Sequence, residues 1–263
     1  SSGTSIPELI DNSGTIIGIK VDMGLKEHPD SSEEKVTEGL EGLKERLEEY
    51  YKMGARFTKW RALLNISEKY PSEIAIQSNA NTLAKYAALA QESNMVPIVE
   101  PEVLMDGDHD INKCYEVTAK VLTACYAELK SLNVDLKGTL LKPNMVLPGT
   151  NSQNRSSTEE IAKMTLKCLK ENVPSEVPGI AFLSGGQSEI EATRNLNEIN
   201  KINDTNFVFT FSYGRALQQS ALKYWGKNQE DITNTQNIFN HRAKMNSLST
   251  SGSWTEELDK IIN

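Results

Sequence analysis

The chain has 263 residues, enough for one large α/β domain with a sizeable core. With 38% hydrophobic and 24% charged residues it has the composition of a soluble globular protein, and a net charge of -8 argues against a nucleic-acid surface. The three cysteines, Cys114, Cys125 and Cys168, form no CxxC pair and fall in helix-like segments, where they read as reduced packing residues of a cytoplasmic protein. Residues 1–10 lack the basic and apolar regions of a signal peptide, and no apolar run approaches the roughly 20 residues that span a bilayer.

Short β-branched runs alternate with long amphipathic patterns, and the first run covers residues 15–21, carrying Lys20 within Gly18-Ile-Lys-Val-Asp22. A helix is predicted over 36–53. The second strand, 57–63, places Lys59 and Arg61 two apart and therefore on one side. Such cations suit an anion in a barrel mouth, or a salt-bridged rim equally well. A helix over 73–93 leads to a strand at 96–99, closed by Glu100, with Glu102 at the same two-residue spacing. A glutamate at the end of a buried strand, beside lysines, suits general acid/base work.

Asp106-Gly-Asp-His-Asp110 lacks the glycine and glutamate positions of an EF-hand, and His28, His109 and His241 show no zinc spacing, so no metal is indicated. The acidic run reads instead as the N-terminal cap of a helix over 110–132. Next comes Gly138-Thr-Leu-Leu-Lys-Pro-Asn-Met145, in which a strand at 139–141 ends at Lys142 and a proline stops it. An amine held among apolar neighbours is harder to protonate, and only the neutral amine attacks a carbonyl. A nearby Lys59 would act in the same direction.

Helices at 158–172 and 188–201 begin with Ser157/Glu160 and Ser188/Glu191, the S-x-x-E capping pattern. Between them lies a strand at 180–183, followed by Ser184-Gly-Gly-Gln187. The last strand, 207–211, opens into Ser212-Tyr-Gly-Arg215 and a helix from Arg215, with a final helix at 229–245. Small residues at two adjacent strand ends let backbone N–H groups approach an anion, while Arg215 can fork two phosphate oxygens. The polar residues Lys20, Lys59, Glu100, Lys142, Ser184 and Ser212 close successive strands at spacings of 39, 41, 42, 42 and 28, about one βα unit each. With no hairpin signal this predicts a parallel sheet. No Gly-rich nucleotide fingerprint is present, which favours a barrel over a doubly wound crevice.

In order along the chain, Gly18–Asp22, Thr58-Lys-Trp-Arg61, Val99-Glu-Pro-Glu102, Asp106–Asp110, Leu140-Leu-Lys-Pro-Asn-Met145, Leu183-Ser-Gly-Gly-Gln-Ser188 and Phe211-Ser-Tyr-Gly-Arg-Ala-Leu217 closely resemble class I, Schiff-base fructose-bisphosphate aldolases. The resemblance implies a TIM (β/α)8 barrel, with residues 1–247 as its strands three to eight and their helices and 248–263 as a C-terminal tail. The family's first two βα units are expected to be absent from this chain. The implied activity is reversible cleavage of fructose 1,6-bisphosphate to dihydroxyacetone phosphate and glyceraldehyde 3-phosphate, with no cofactor. By the resemblance Lys142 would form the Schiff base, Glu100 would shuttle protons and Lys59 would hold the electrostatics. Lys20, Arg61 and Glu102 would surround the sugar, and Ser184, Gly185, Gly186, Ser212, Gly214 and Arg215 would bind phosphate. A homotetramer and an actin-type partner are implied; a membrane is not.

Two departures accompany it. The family's upstream units carry an aspartate near the scissile bond and further phosphate contacts, roles that no residue here can inherit. Its tail ends in tyrosine, whereas this one ends Glu257-Leu-Asp-Lys-Ile-Ile-Asn263. A non-catalytic scaffold and a Schiff-base aldolase for another sugar phosphate are the competing readings.

Overall fold

The computed structural model describes residues 3–260; the last three residues of the tail, Ile261, Ile262 and Asn263, lie outside the described residues. Helix α1 (Ile6–Asn12) starts at Ser5, whose hydroxyl accepts from the Glu8 N–H. Strand β1 (Gly18–Lys20) follows, then a hairpin of β2 (Leu25–His28) and β3 (Ser31–Thr37), and helix α2 (Leu43–Lys52). Strand–helix units continue with β4 (Phe57–Leu64), α3 (Glu73–Glu92), β5 (Val96–Val103), α4 (Ile111–Ser131), β6 (Leu140–Leu141) and α5 (Thr158–Asn172). The chain closes with β7 (Gly179–Phe182), α6 (Glu189–Lys201), β8 (Val208–Phe211), α7 (Arg215–Trp225), α8 (Ile232–Ser249) and a short α9 (Glu256–Asp259).

The main sheet has six parallel strands in the order β1-β4-β5-β6-β7-β8. Each strand of that sheet pairs with the next one along the chain. A doubly wound sheet reverses its order at a switch point, so this sequential pairing is the barrel-type arrangement. Along β4 burial alternates strictly: Thr58, Trp60, Ala62 and Leu64 are buried, while Phe57, Lys59, Arg61 and Leu63 are half-buried on the other face. The buried set meets α3, where Trp60 stacks on Tyr86 with centroids 5.4 Å apart and the Tyr86 hydroxyl lies 2.8 Å from Thr58 Oγ1. Burial pushes the Tyr86 hydroxyl far above its ordinary range. Phe182 and Phe209 stack at 5.6 Å under β7 and β8, and Cys114, Cys125 and Cys168 are free, buried and helical.

Three expectations are corrected. The predicted helix over 36–53 begins only at Leu43, because Gly39 and Gly42 sit at φ of +123° and +61°, which a right-handed helix does not admit. The residues before it, with no hairpin expected, form the β2–β3 pair. That hairpin is fastened by polar tertiary contacts which no periodicity reveals: Glu34 accepts from Ser72 N–H (2.8 Å) and hydroxyl (2.6 Å), Thr37 Oγ1 donates to the Arg61 carbonyl at 2.6 Å, and Asn79 donates to the Lys35 carbonyl at 3.0 Å. Thirdly, Lys59 and Glu100 do not close their strands. Pairing continues to Leu64 and Val103, since every residue of 57–64 has a partner in 96–103. No helix among the described residues is long and apolar enough to cross a membrane.

Candidate active site

Strand register decides which side chains meet. Lys20 is paired with Lys59, Arg61 with Glu100, Leu63 with Glu102, and Val99 with Leu141. Side chains alternate faces along a strand and align across paired positions. Lys20, Lys59, Arg61, Glu100, Glu102 and, one residue past Leu141, Lys142 therefore all project from the face opposite the helices.

They are joined by ion pairs. Glu100 is 3% exposed and stands between two lysines, with Lys142 Nζ 3.0 Å from one carboxylate oxygen and Lys59 Nζ 2.8 Å from the other. The Lys59 contact is off hydrogen-bond alignment, so Glu100 Oε2 keeps acceptor capacity although it is buried. Lys59 also lies 3.5 Å from Asp22, which in turn is 2.6 Å from Lys20. Arg61 Nε pairs with Glu102, and the Arg61 backbone N–H donates to Asp22 at 3.3 Å. Lysines whose side chains are only 13% and 19% exposed, at Lys142 and Lys59, are held in a largely water-excluded place by two buried carboxylates.

The Lys142 backbone is tied on both sides. Its N–H donates to the Val99 carbonyl at 2.8 Å, and the next carbonyl, Pro143, accepts from Leu183 N–H at 3.1 Å. Asn144, 4% exposed, accepts from Val103 N–H and donates to Thr118 Oγ1, each at 3.1 Å. The Lys-Pro-Asn sequence thus couples β5, β6, β7 and α4, and fixes where the amine emerges.

Ser184, Gly185 and Gly186 follow β7, with the two glycines at φ of +57° and +86°, a left-handed pair that bares backbone N–H groups. Ser212 N–H donates to the Phe182 carbonyl at 2.9 Å, which sets the loop after β8 beside the loop after β7. Gly214 caps α7 without a side-chain hydrogen bond, and Arg215 is exposed at its first position. Uncapped N–H groups, a helix dipole and a guanidinium suit a phosphate. A groove of about 610 Å³ between α7 and α8 is lined by Leu222, Trp225, Ile232 and Phe239 and holds no titratable side chain, so the chemistry does not lie there.

Residues 1–262 match the family described as "Glycolytic: Fructose-bisphosphate aldolase class-I". The chain belongs to the class-I fructose-bisphosphate aldolase family. Among aldolases it is 51% identical to the cytosolic fructose-bisphosphate aldolase 4 of Arabidopsis thaliana, over 97% of this chain and 65% of that protein. It is 49% identical to a probable class 1 aldolase of Xanthomonas campestris, over 96% of this chain and 76% of that one. A solved aldolase of Plasmodium falciparum, in complex with TRAP and a small-molecule inhibitor, superposes with a TM-score of 0.94 at 45% identity, covering 97% of this chain and 74% of that one. The chain therefore spans about two thirds to three quarters of the length of these aldolases, and its α/β fold is theirs.

One site residue is absent from the sequence expectations above. Asp22 is buried and contacts three site groups. Its signal was available: it stands two residues beyond Lys20 and so shares that residue's face.

Proposed function

We propose that the chain carries the cleavage chemistry of its family: fructose 1,6-bisphosphate is split reversibly into dihydroxyacetone phosphate and glyceraldehyde 3-phosphate through a Schiff base on Lys142. The observation that carries this is the shared carboxylate, Glu100, 3.0 Å from Lys142 Nζ and 2.8 Å from Lys59 Nζ in a sheltered pocket.

The neutral Lys142 amine adds to the ketose carbonyl, and Glu100 takes the proton the nitrogen sheds. The same carboxyl passes it to the carbonyl oxygen to give the carbinolamine, then delivers a second proton, drawn from solvent, to that hydroxyl, which leaves as water. The protonated imine then draws in the electron pair of the breaking C3–C4 bond, the C4 hydroxyl gives its proton to solvent as the aldehyde forms, C3 of the resulting enamine takes up a proton from solvent, and hydrolysis of the imine frees the lysine. Lys59 pairs with Glu100 across 2.8 Å between transfers. Lys20, Arg61 and Glu102 surround the sugar, while Ser184, Gly185, Gly186, Ser212, Gly214 and Arg215 hold phosphate oxygens.

Borohydride reduction in the presence of dihydroxyacetone phosphate tests the reading. A stable adduct mapped to Lys142 is expected; folded protein that yields none overturns it. Comparing cleavage of fructose 1,6-bisphosphate with fructose 1-phosphate then gives the substrate preference. Family membership extends the proposal to a phosphosugar ligand, a homotetramer, an actin-type partner and, with relatives named as cytosolic, a cytoplasmic location. Light scattering of the purified protein checks the assembly state.

A further inference from the structure

Asp22 takes no part in the steps assigned above, yet it lies inside the ion-pair chain that performs them. Its side chain is 4% exposed, with Oδ1 2.6 Å from Lys20 Nζ and Oδ2 3.5 Å from Lys59 Nζ. Oδ2 also accepts from the Arg61 N–H at 3.3 Å, and Lys20 Nζ donates to the Asp22 carbonyl oxygen at 2.8 Å. Five groups thus alternate in sign from one side of the site to the other: Lys20, Asp22, Lys59, Glu100, Lys142.

Burying a carboxylate is costly unless partners repay its lost hydration. One of the three partners of Asp22, Lys20, is a neighbour two residues away on the same segment, and another is explained by strand joining, since the Arg61 N–H holds the segment after β1 to β4. The Lys59 contact is not, because β1 and β4 are already paired there through their backbones, Lys20 against Lys59. Lys59 is the one lysine of the set that reaches two carboxylates, Asp22 in the segment after β1 and Glu100 of β5. Its pull on Glu100 is therefore set partly by Asp22.

We propose that Asp22 is a positioning residue for the proposed lysine chemistry, holding Lys59 between two carboxylates so that Glu100 keeps one oxygen free to exchange protons with Lys142. This rests on the Schiff-base reading of Lys142. Without the Asp22 charge, Lys59 has Glu100 as its sole anionic partner, tightens on it and makes it a poorer proton acceptor. The same loss leaves the pocket one unit more positive, which does not weaken attraction for a phosphate-bearing substrate. A rate defect without a binding defect is the signature, whereas loss of Lys20 or Arg61 would be expected to weaken binding. The groups in contact with Asp22 are Lys20 of β1, Lys59 of β4 and the Arg61 backbone N–H.

The test compares the parent protein with Asp22→Asn and Asp22→Glu by fructose 1,6-bisphosphate cleavage from about pH 6 to 9, borohydride trapping and thermal unfolding. Expected for Asp22→Asn is a kcat lower by roughly 10- to 100-fold with KM not raised. Asp22→Glu, which keeps the charge, recovers part of kcat. The proposal is overturned if Asp22→Asn keeps kcat, if its KM rises as much as its kcat falls, or if its activity falls only in proportion to the folded fraction. A parent protein that forms no adduct at Lys142 overturns the Schiff-base reading instead, whatever the variants do.

Discussion

Glu100 is the residue on which the most chemistry converges. It is buried, contacts two lysines, and lies 3.0 Å from Lys142 Nζ, the nitrogen proposed to meet the substrate. Glu100→Gln keeps the shape and removes the proton acceptor, so kcat is expected to fall by about 10²- to 10⁴-fold, with the phosphate loops still binding substrate. Steady-state kinetics separate the two effects: KM stays close to its starting value. Lys142→Arg keeps the positive charge but offers no attacking amine, and mass spectrometry after borohydride treatment should find no adduct. In the loop after β7, proposed above to hold phosphate, Gly186 at φ +86° stands where a side chain is strained. Gly186→Ala is expected to raise KM for phosphorylated ketoses and to cost about 1 kcal/mol of stability, read from a denaturant midpoint.

The elements are held by caps that a local pattern predicts and by docking contacts that it does not. Ser188 and Glu191 form a complete capping box at α6, whereas Ser157 supplies the side-chain half of the pattern at α5, accepting from Glu160 N–H. Ser188→Ala should cost about 1 kcal/mol in urea unfolding. Glu34 is a stronger case, being a buried carboxylate that receives both the N–H and the hydroxyl of Ser72, the residue that caps α3. Glu34→Ala leaves those donors unpaired and is expected to cost about 1–3 kcal/mol. By contrast, the exposed Glu159–Lys163 pair on α5 is solvated on every side, and breaking it with Glu159→Gln should leave the midpoint unchanged.

At the scale of the whole molecule, the stretch after α8 is fastened back through one carboxyl. Asp259 receives two nitrogens of Arg242 at 3.1 and 2.5 Å and the Trp254 indole N–H at 2.9 Å, with His241 at 3.3 Å. Burial alone would push this carboxyl up; the Arg242 pairing, aided by Trp254 and His241, outweighs it and holds it below the ordinary carboxylate range. A carboxyl depressed on folding contributes stability that is complete above its unfolded value, about 4, and is lost as pH falls through the folded value. The fastening is therefore expected to release in acid below about pH 4, reported by a change in Trp254 emission that is absent from Asp259→Asn.

Much of this molecule is written locally. Alternation along 57–64 puts Lys59 and Arg61 on one face, because the pleat of a strand has a period of two whatever it pairs with. The capping serines and the paired glycines of 185–186 are likewise short-range facts, since a cap or a left-handed turn is complete within a few residues. The hairpin at 25–37 escaped because its anchors, Glu34 to Ser72 and Asn79 to Lys35, span 38 and 44 residues and leave no period. The ends of β4 and β5 escaped for a related reason, as polar residues inside a strand resemble its exit when the partner is unknown. The sequence by itself determined which residue types stand on which face and which loops can hold an anion. Only the tertiary structure decided that Lys20 lies against Lys59 and Arg61 against Glu100, and hence that Asp22 and Glu100 share one lysine. Register between strands about 40 residues apart is set by packing and by the backbone ladder they form together, and neither exists until the segments meet.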